Sequence, residues 1–81
     1  MKCAQQDYIE IACLYHLPIT LTLKDDQYVT GVAINTGYNA LRQECVLIDT
    51  VDGNISITLD TIQTMHALVT NPHFTLVNFS D

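Results

Sequence analysis

Cationic side chains are what this sequence most lacks. Against nine Asp and Glu it sets only Lys2, Lys24 and Arg42, a formal net charge of -6 over 81 residues. Proteins that grip nucleic acid neutralise several phosphates with Lys and Arg, so direct nucleic-acid binding is not expected. The sign points instead to a basic partner surface, toward which a small acidic domain is steered over about a Debye length. Solubility alone accounts equally well for an acidic balance. Long apolar runs are missing too. Although 48% of the residues are hydrophobic, none of the runs approaches the roughly 18–20 residues of a membrane span. The stretch Met1-Lys2-Cys3-Ala4-Gln5-Gln6-Asp7 has no apolar core of a secretory signal, and the expected location is the cytoplasm.

Cysteine is sparse and odd in number. Cys3, Cys13 and Cys45, without a secretory signal, argue against a disulfide framework and read as reduced thiols. Cys13 and Cys45 lie in apolar stretches and are expected in the core. There is no glycine-rich phosphate loop, nucleophile elbow or His-Glu metal helix. Cys3, Cys13 and His16 lack the paired spacing of zinc sites. A Cys–His nucleophile pair has neither an acidic orienter nor an oxyanion pocket that can be placed in so short a chain. No enzyme activity, metal or cofactor is expected. His16 suits the negative pole at a helix end, and His66 and His73 read as surface residues flanking the last turn. Repeats, linkers and low-complexity segments are absent, so residues 1–81 read as a single domain.

What is present concentrates between Asp7 and Asp25, where an acidic helix start runs into a strand. Asp7 followed by Glu10 has the form of a capping box, with both carboxylates at the positive end of the helix dipole. The expected helix covers about 7–16. Ile9, Ala12, Cys13 and His16 share one face, with a second stripe of Tyr8, Ile11, Ala12 and Tyr15 beside it. Pro18 closes the helix.

Beyond Pro18 the period becomes two. Ile19, Leu21 and Leu23 alternate with Thr20, Thr22 and Lys24, a half-buried strand. A polar turn, Lys24-Asp25-Asp26-Gln27, leads into a second strand over Tyr28 to Thr36, in which Gly31 marks a bend or bulge. Thr36 to Leu41 reads as a mobile loop, Glu44 to Thr50 as a third strand, and Asp52-Gly53 as a hairpin turn into Asn54 to Leu59. Asp60-Thr61 makes a short turn before Ile62 to Ala67, and Asn71-Pro72 breaks the chain ahead of a strand near Phe74 to Phe79. One helix and five or six short antiparallel strands close best as a small barrel over about 18–79, which removes exposed edges. Periodicity leaves OB-like, SH3-like or Sm-like barrels and a helix-on-sheet α+β fold open.

Cys3, Asp7, Ile9-Glu10-Ile11-Ala12-Cys13, His16-Leu17, Leu21-Thr22-Leu23-Lys24-Asp25, Gly31-Val32-Ala33 and Leu59-Asp60-Thr61-Ile62, in this order and spacing, resemble the Rho-binding antiterminator family, Rof. The resemblance implies an Sm-like barrel with an N-terminal helix, in a bacterial cytoplasmic protein that binds the transcription termination factor Rho. Members of that family block the primary RNA-binding site on Rho's N-terminal OB-type domain and so inhibit termination. The implied partner-binding residues are Gln5, Gln6, Asp7, Tyr8 and Glu10 at the helix, with Tyr38, Asn39 and Arg42 on the loop between the second and third strands. From the residues alone Asp7 and Glu10 read first as caps; the resemblance makes them contacts as well. The chain departs from the family in having Gln6 where a tyrosine commonly precedes the aspartate, Asp25-Asp26 where Asp-Gly is frequent, and Asn35 where an aspartate is frequent. Its Tyr38 to Arg42 loop is also less basic than in some relatives. Two other functions stay in view, an Sm-like or OB-like module that binds RNA directly and an acidic adaptor for another basic protein. Nothing in the sequence demands a dimer, and a monomer is expected.

Overall fold

Helix α1 spans Cys3–Leu14 in a computed structural model that describes residues 3–79. It begins well before the start that an Asp7 cap predicts, and no acidic residue lies in its first turn. Ala4, Gln5 and Gln6 are good helix formers with no breaker among them, so the helix runs upstream through them. Asp7 and Glu10 are therefore interior helix residues, and the capping-box expectation is overturned.

The other end also differs from the expected stop at His16. His16 adopts the left-handed conformation, φ 48°. Its N–H donates to the Cys13 carbonyl at 3.2 Å, while the Leu17 N–H donates to the Ala12 carbonyl at 2.9 Å. This pair of bonds is the Schellman closure, which satisfies the carbonyls at a helix end and here puts a non-glycine residue at the left-handed position. Pro18 then opens β1, at the first-residue position where a strand tolerates proline.

The strands are β1 (Pro18–Leu23), β2 (Tyr28–Tyr38), β3 (Glu44–Thr50), β4 (Gly53–Thr58), β5 (Ile62–Ala67) and β6 (Leu76–Asn78), with a single 3₁₀ turn, Leu59–Thr61, between β4 and β5. They form one six-stranded antiparallel sheet in the order β4-β3-β2-β1-β5-β6. The sheet is not closed into a barrel, contrary to the expectation from strand number. Its last strand is three residues long and pairs only with β5 among the described residues, which leaves too little ladder to meet β4. Closure is also not needed to bury the apolar face, because α1 lies against it.

Strand β2 holds the two halves of the sheet together. Its residues from Tyr28 to Val32 pair with β1, and those from Val32 to Tyr38 pair with β3. The register shift lies between Ala33 and Asn35, with another between Thr22 and Leu23. The bulge expected at Gly31 is thus displaced along the strand. Gly31 serves close approach instead: a Cβ there would stand 2.4 Å from the Asp49 carbonyl oxygen and 2.7 Å from Cγ2 of Ile48.

The core lies between α1 and the sheet. Ile9, Ala12, Cys13 and Leu17 from the helix side meet Ile19, Leu21, Ala33, Val46, Ile48, Ile62 and Met65, with Phe74, Val77 and Phe79 closing one flank. The inward Ile19 and Leu21 and the outward Lys24 follow the expected alternation. Strand β4 is an edge and mostly exposed, so its alternation buries little until Leu59.

Candidate functional site

At about 100° per residue, the helix divides into an outer face and two flanks, and each carries different candidate residues. Asp7 and Glu10 are exposed, with the exposed Leu14 beyond them. Gln5, Tyr8 and, just past the helix, Tyr15 face the C-terminal segment. Gln5 Nε2 donates to the Asn78 carbonyl at 3.3 Å, the Tyr8 ring meets Phe74 edge-on at 5.9 Å, and Tyr15 stacks on His73 at 4.8 Å. Gln6 lies on the opposite flank, where its amide nitrogen donates to a carboxylate oxygen of Glu44.

That last bond joins the two parts of the predicted surface. Glu44 is the first residue of β3, and its partner across the ladder is Tyr38. The helix start is therefore tied to the β2–β3 turn, and Gln6, Glu44, Tyr38 and Arg42 follow one another across the molecule. Tyr38 is 74% exposed, and with Arg42 it lines a surface hollow of about 470 Å³. A smaller hollow of about 100 Å³ is lined by Gln6, Glu44, Leu59 and Asp60. Glu44 and Asp60 adjoin the candidate residues without being among those the sequence points to. The turn length offered the signal for Glu44, since a short connection returning from Tyr38 places a residue of the next strand opposite it.

Asn39 lies in the connection between β2 and β3, as the resemblance implies, but that connection is shorter than expected. Residues 36–38 continue β2, so the expected mobile loop shrinks to a tight turn from Asn39 to Gln43. The Asn39 side-chain oxygen accepts from the N–H groups of Leu41 at 2.9 Å and Gln43 at 3.0 Å, and its nitrogen donates to Oε1 of Gln43 at 3.0 Å. Its amide is spent on the turn. Arg42 takes a left-handed conformation, φ 62°.

Behind the helix, Cys13 faces a groove of about 420 Å³ with Glu10, Leu14, His16, Ile34, Asn35 and Thr36. Burial, and second the Glu10 carboxylate, push the Cys13 thiol up to about 11. A protonated thiol is neither nucleophile nor ready metal ligand. Among the described residues no group of three His, Cys, Asp or Glu is placed to hold a metal ion. Cys3 and its part in any such set fall outside the described side chains. Among the described residues no helix is long and apolar enough to cross a membrane.

An open antiparallel sheet backed by one helix, with exposed carboxylates on the helix's free side and Tyr38 and Arg42 at the neighbouring turn, makes this a small acidic domain. The chain belongs to the Rof family, modulators of Rho-dependent transcription termination, whose family model matches residues 1–79. It is similar to the solved structure of YaeO bound to magnesium from Vibrio cholerae O395, with 39% sequence identity over 91% of this chain and 96% of that one and a TM-score of 0.89. No curated protein sequence matches the chain.

Proposed function

We propose that the protein binds Rho and inhibits termination by occluding the primary RNA-binding site on Rho's N-terminal domain. The observation that carries this reading is the exposure of Asp7 and Glu10 on a helix whose first turns are tied through Gln6 and Glu44 to Tyr38 and Arg42. A site built to hold RNA is basic and has pockets for bases. Carboxylates on a rigid helix take the place of phosphates there, in charge-assisted hydrogen bonds to Arg or Lys of the partner. Tyr8, Gln5 and Gln6 support the helix from its flanks, and Tyr38 supplies an exposed ring of the kind enriched at interface centres. The scarcity of Lys and Arg in this chain favours a basic protein over RNA as its partner.

The test is competition. The protein should displace a short pyrimidine-rich RNA from Rho, and Asp7→Lys or Glu10→Lys should weaken that displacement at least about tenfold. As both side chains are exposed and neither is a cap, thermal stability should change by less than about 0.5 kcal/mol. Retention of single-stranded RNA by the protein alone would replace occlusion with direct RNA binding. Loss of displacement only in step with unfolding would assign the two carboxylates to the fold.

A further inference from the structure

The outer face of α1 carries the charges, but one of its flanks is held by the C-terminal segment. Three successive contacts run along one flank of α1 and just past its end, and all three come from the C-terminal segment: Asn78 to Gln5, Phe74 to Tyr8 and His73 to Tyr15. The two ring contacts hold the helix at its middle and just beyond its C-terminal end, and the Gln5–Asn78 hydrogen bond holds it near its start. Ring pairs with these geometries contribute beyond the area they bury. The loop that presents these rings is itself fixed. The Asn71 side-chain oxygen accepts from the N–H groups of His73 at 2.9 Å and Phe74 at 3.1 Å, and its nitrogen donates to the carbonyls of Val69 and Phe74, both at 3.1 Å. The Ala67 N–H closes the loop on the Thr75 carbonyl at 2.9 Å.

We propose that this β5–β6 loop is a brace, and that His73 and Phe74 are positioning residues that set the inclination of α1 and hence where Asp7 and Glu10 meet Rho. The inference rests on the reading of α1 as the contact face. It has a feature that makes it separable from simple stability: from Thr61 to Ser80 the chain contains no Asp, Glu, Lys or Arg, and Phe74, unlike His66 and His73, carries no ionisable group. The brace thus contributes no carboxylate, ammonium or guanidinium to the partner. A Phe74 variant that alters the salt dependence of binding must do so by moving carboxylates elsewhere, whereas partial unfolding lowers the active fraction and leaves the slope intact.

The test uses the full chain with His73→Ala and Phe74→Leu, and His73→Phe to restore a stacked ring. Residual dipolar couplings on the free protein report the angle between α1 and the sheet, and titrations against Rho at several salt concentrations report affinity and slope. Measurements are made well below each variant's melting temperature. The expected result is a turned helix, affinity weaker by about threefold to tenfold in His73→Ala, a flatter salt slope in both disruptive variants, and recovery of all of these in His73→Phe. An unchanged helix angle would overturn the brace outright. A turned helix with unchanged affinity, beside a weakened Asp7→Lys control, would overturn the link from brace to recognition. If Asp7→Lys itself bound Rho as the parent does, the contact-face reading would fall and take that link with it, while the couplings would still decide whether the loop braces the helix.

Discussion

Cys13 lies in the core, as its apolar surroundings in the sequence lead one to expect. Its distance of three residues from His16 invites a metal or nucleophile reading, yet it is 7% exposed and packed in the core, with a thiol that resists ionisation. The consequence is a linkage between its proton and the fold. Because the folded state raises its pKa, its contribution to stability is complete below the ordinary thiol range and is lost as pH climbs toward about 11. Denaturant melts between pH 8 and 11 should show stability falling over that interval, and the fall should be shallower in Cys13→Ala, although that variant starts from a lower baseline. The same burial makes Cys13 slow to alkylate until the chain unfolds. Asp7 and Glu10 were legible as the notable charges of the N-terminal segment, but their local role was not. A carboxylate followed three residues later by another has the same spacing whether it starts a helix or sits within one, and Ala4-Gln5-Gln6 decided the matter.

At the scale of elements, strands were easier to read than their ends. Glu44–Thr50 and Ile62–Ala67 lie where alternation and flanking turn residues put them, since burial on one face fixes the period. Strand β2 outran its expected end because Thr36-Gly37-Tyr38 has no proline and its loop signals, Gly37 and Asn39, are compatible with a strand end and a tight turn. The end of α1 offers a direct measurement. His16 holds a left-handed conformation that costs an ordinary L-residue about 1 kcal/mol and glycine almost nothing. His16→Gly should therefore raise stability by about 0.5–1 kcal/mol, read as a shift of the denaturant midpoint at constant slope. A fall in stability would mean that the imidazole makes a contribution at the helix end larger than the strain it bears.

For the molecule as a whole, composition foretold the surface better than periodicity foretold the architecture. The shortage of cations identified an acidic surface before any fold was available, while strand count favoured a closed barrel that the sheet does not form. Closure depends on the length of the last strand and on what covers the apolar face, and neither is encoded in alternation. If charge steers this module to a basic site, raising salt from about 50 to 300 mM should slow association with Rho more than it speeds dissociation, because a Debye length shrinks over that range from about 14 to 6 Å. Association rates that ignore salt would remove charge from the recognition and leave shape and the exposed rings to account for it.

Val32 is the one residue of β2 with a ladder partner on both sides, Pro18 on one strand and Asp49 on the other. The ladder therefore divides into two panels joined along β2 at Val32, one of β1, β5 and β6 with the first half of β2 and one of β3 and β4 with its second half. Beneath them α1 packs chiefly on β2, the strand the two panels share, and one core cluster takes in Ile9, Ala12 and Cys13 of the helix together with residues of both panels. The same helix that presents its outer face to solvent is thus the keel of the fold, and loosening it would be felt first as a loss of two-state behaviour.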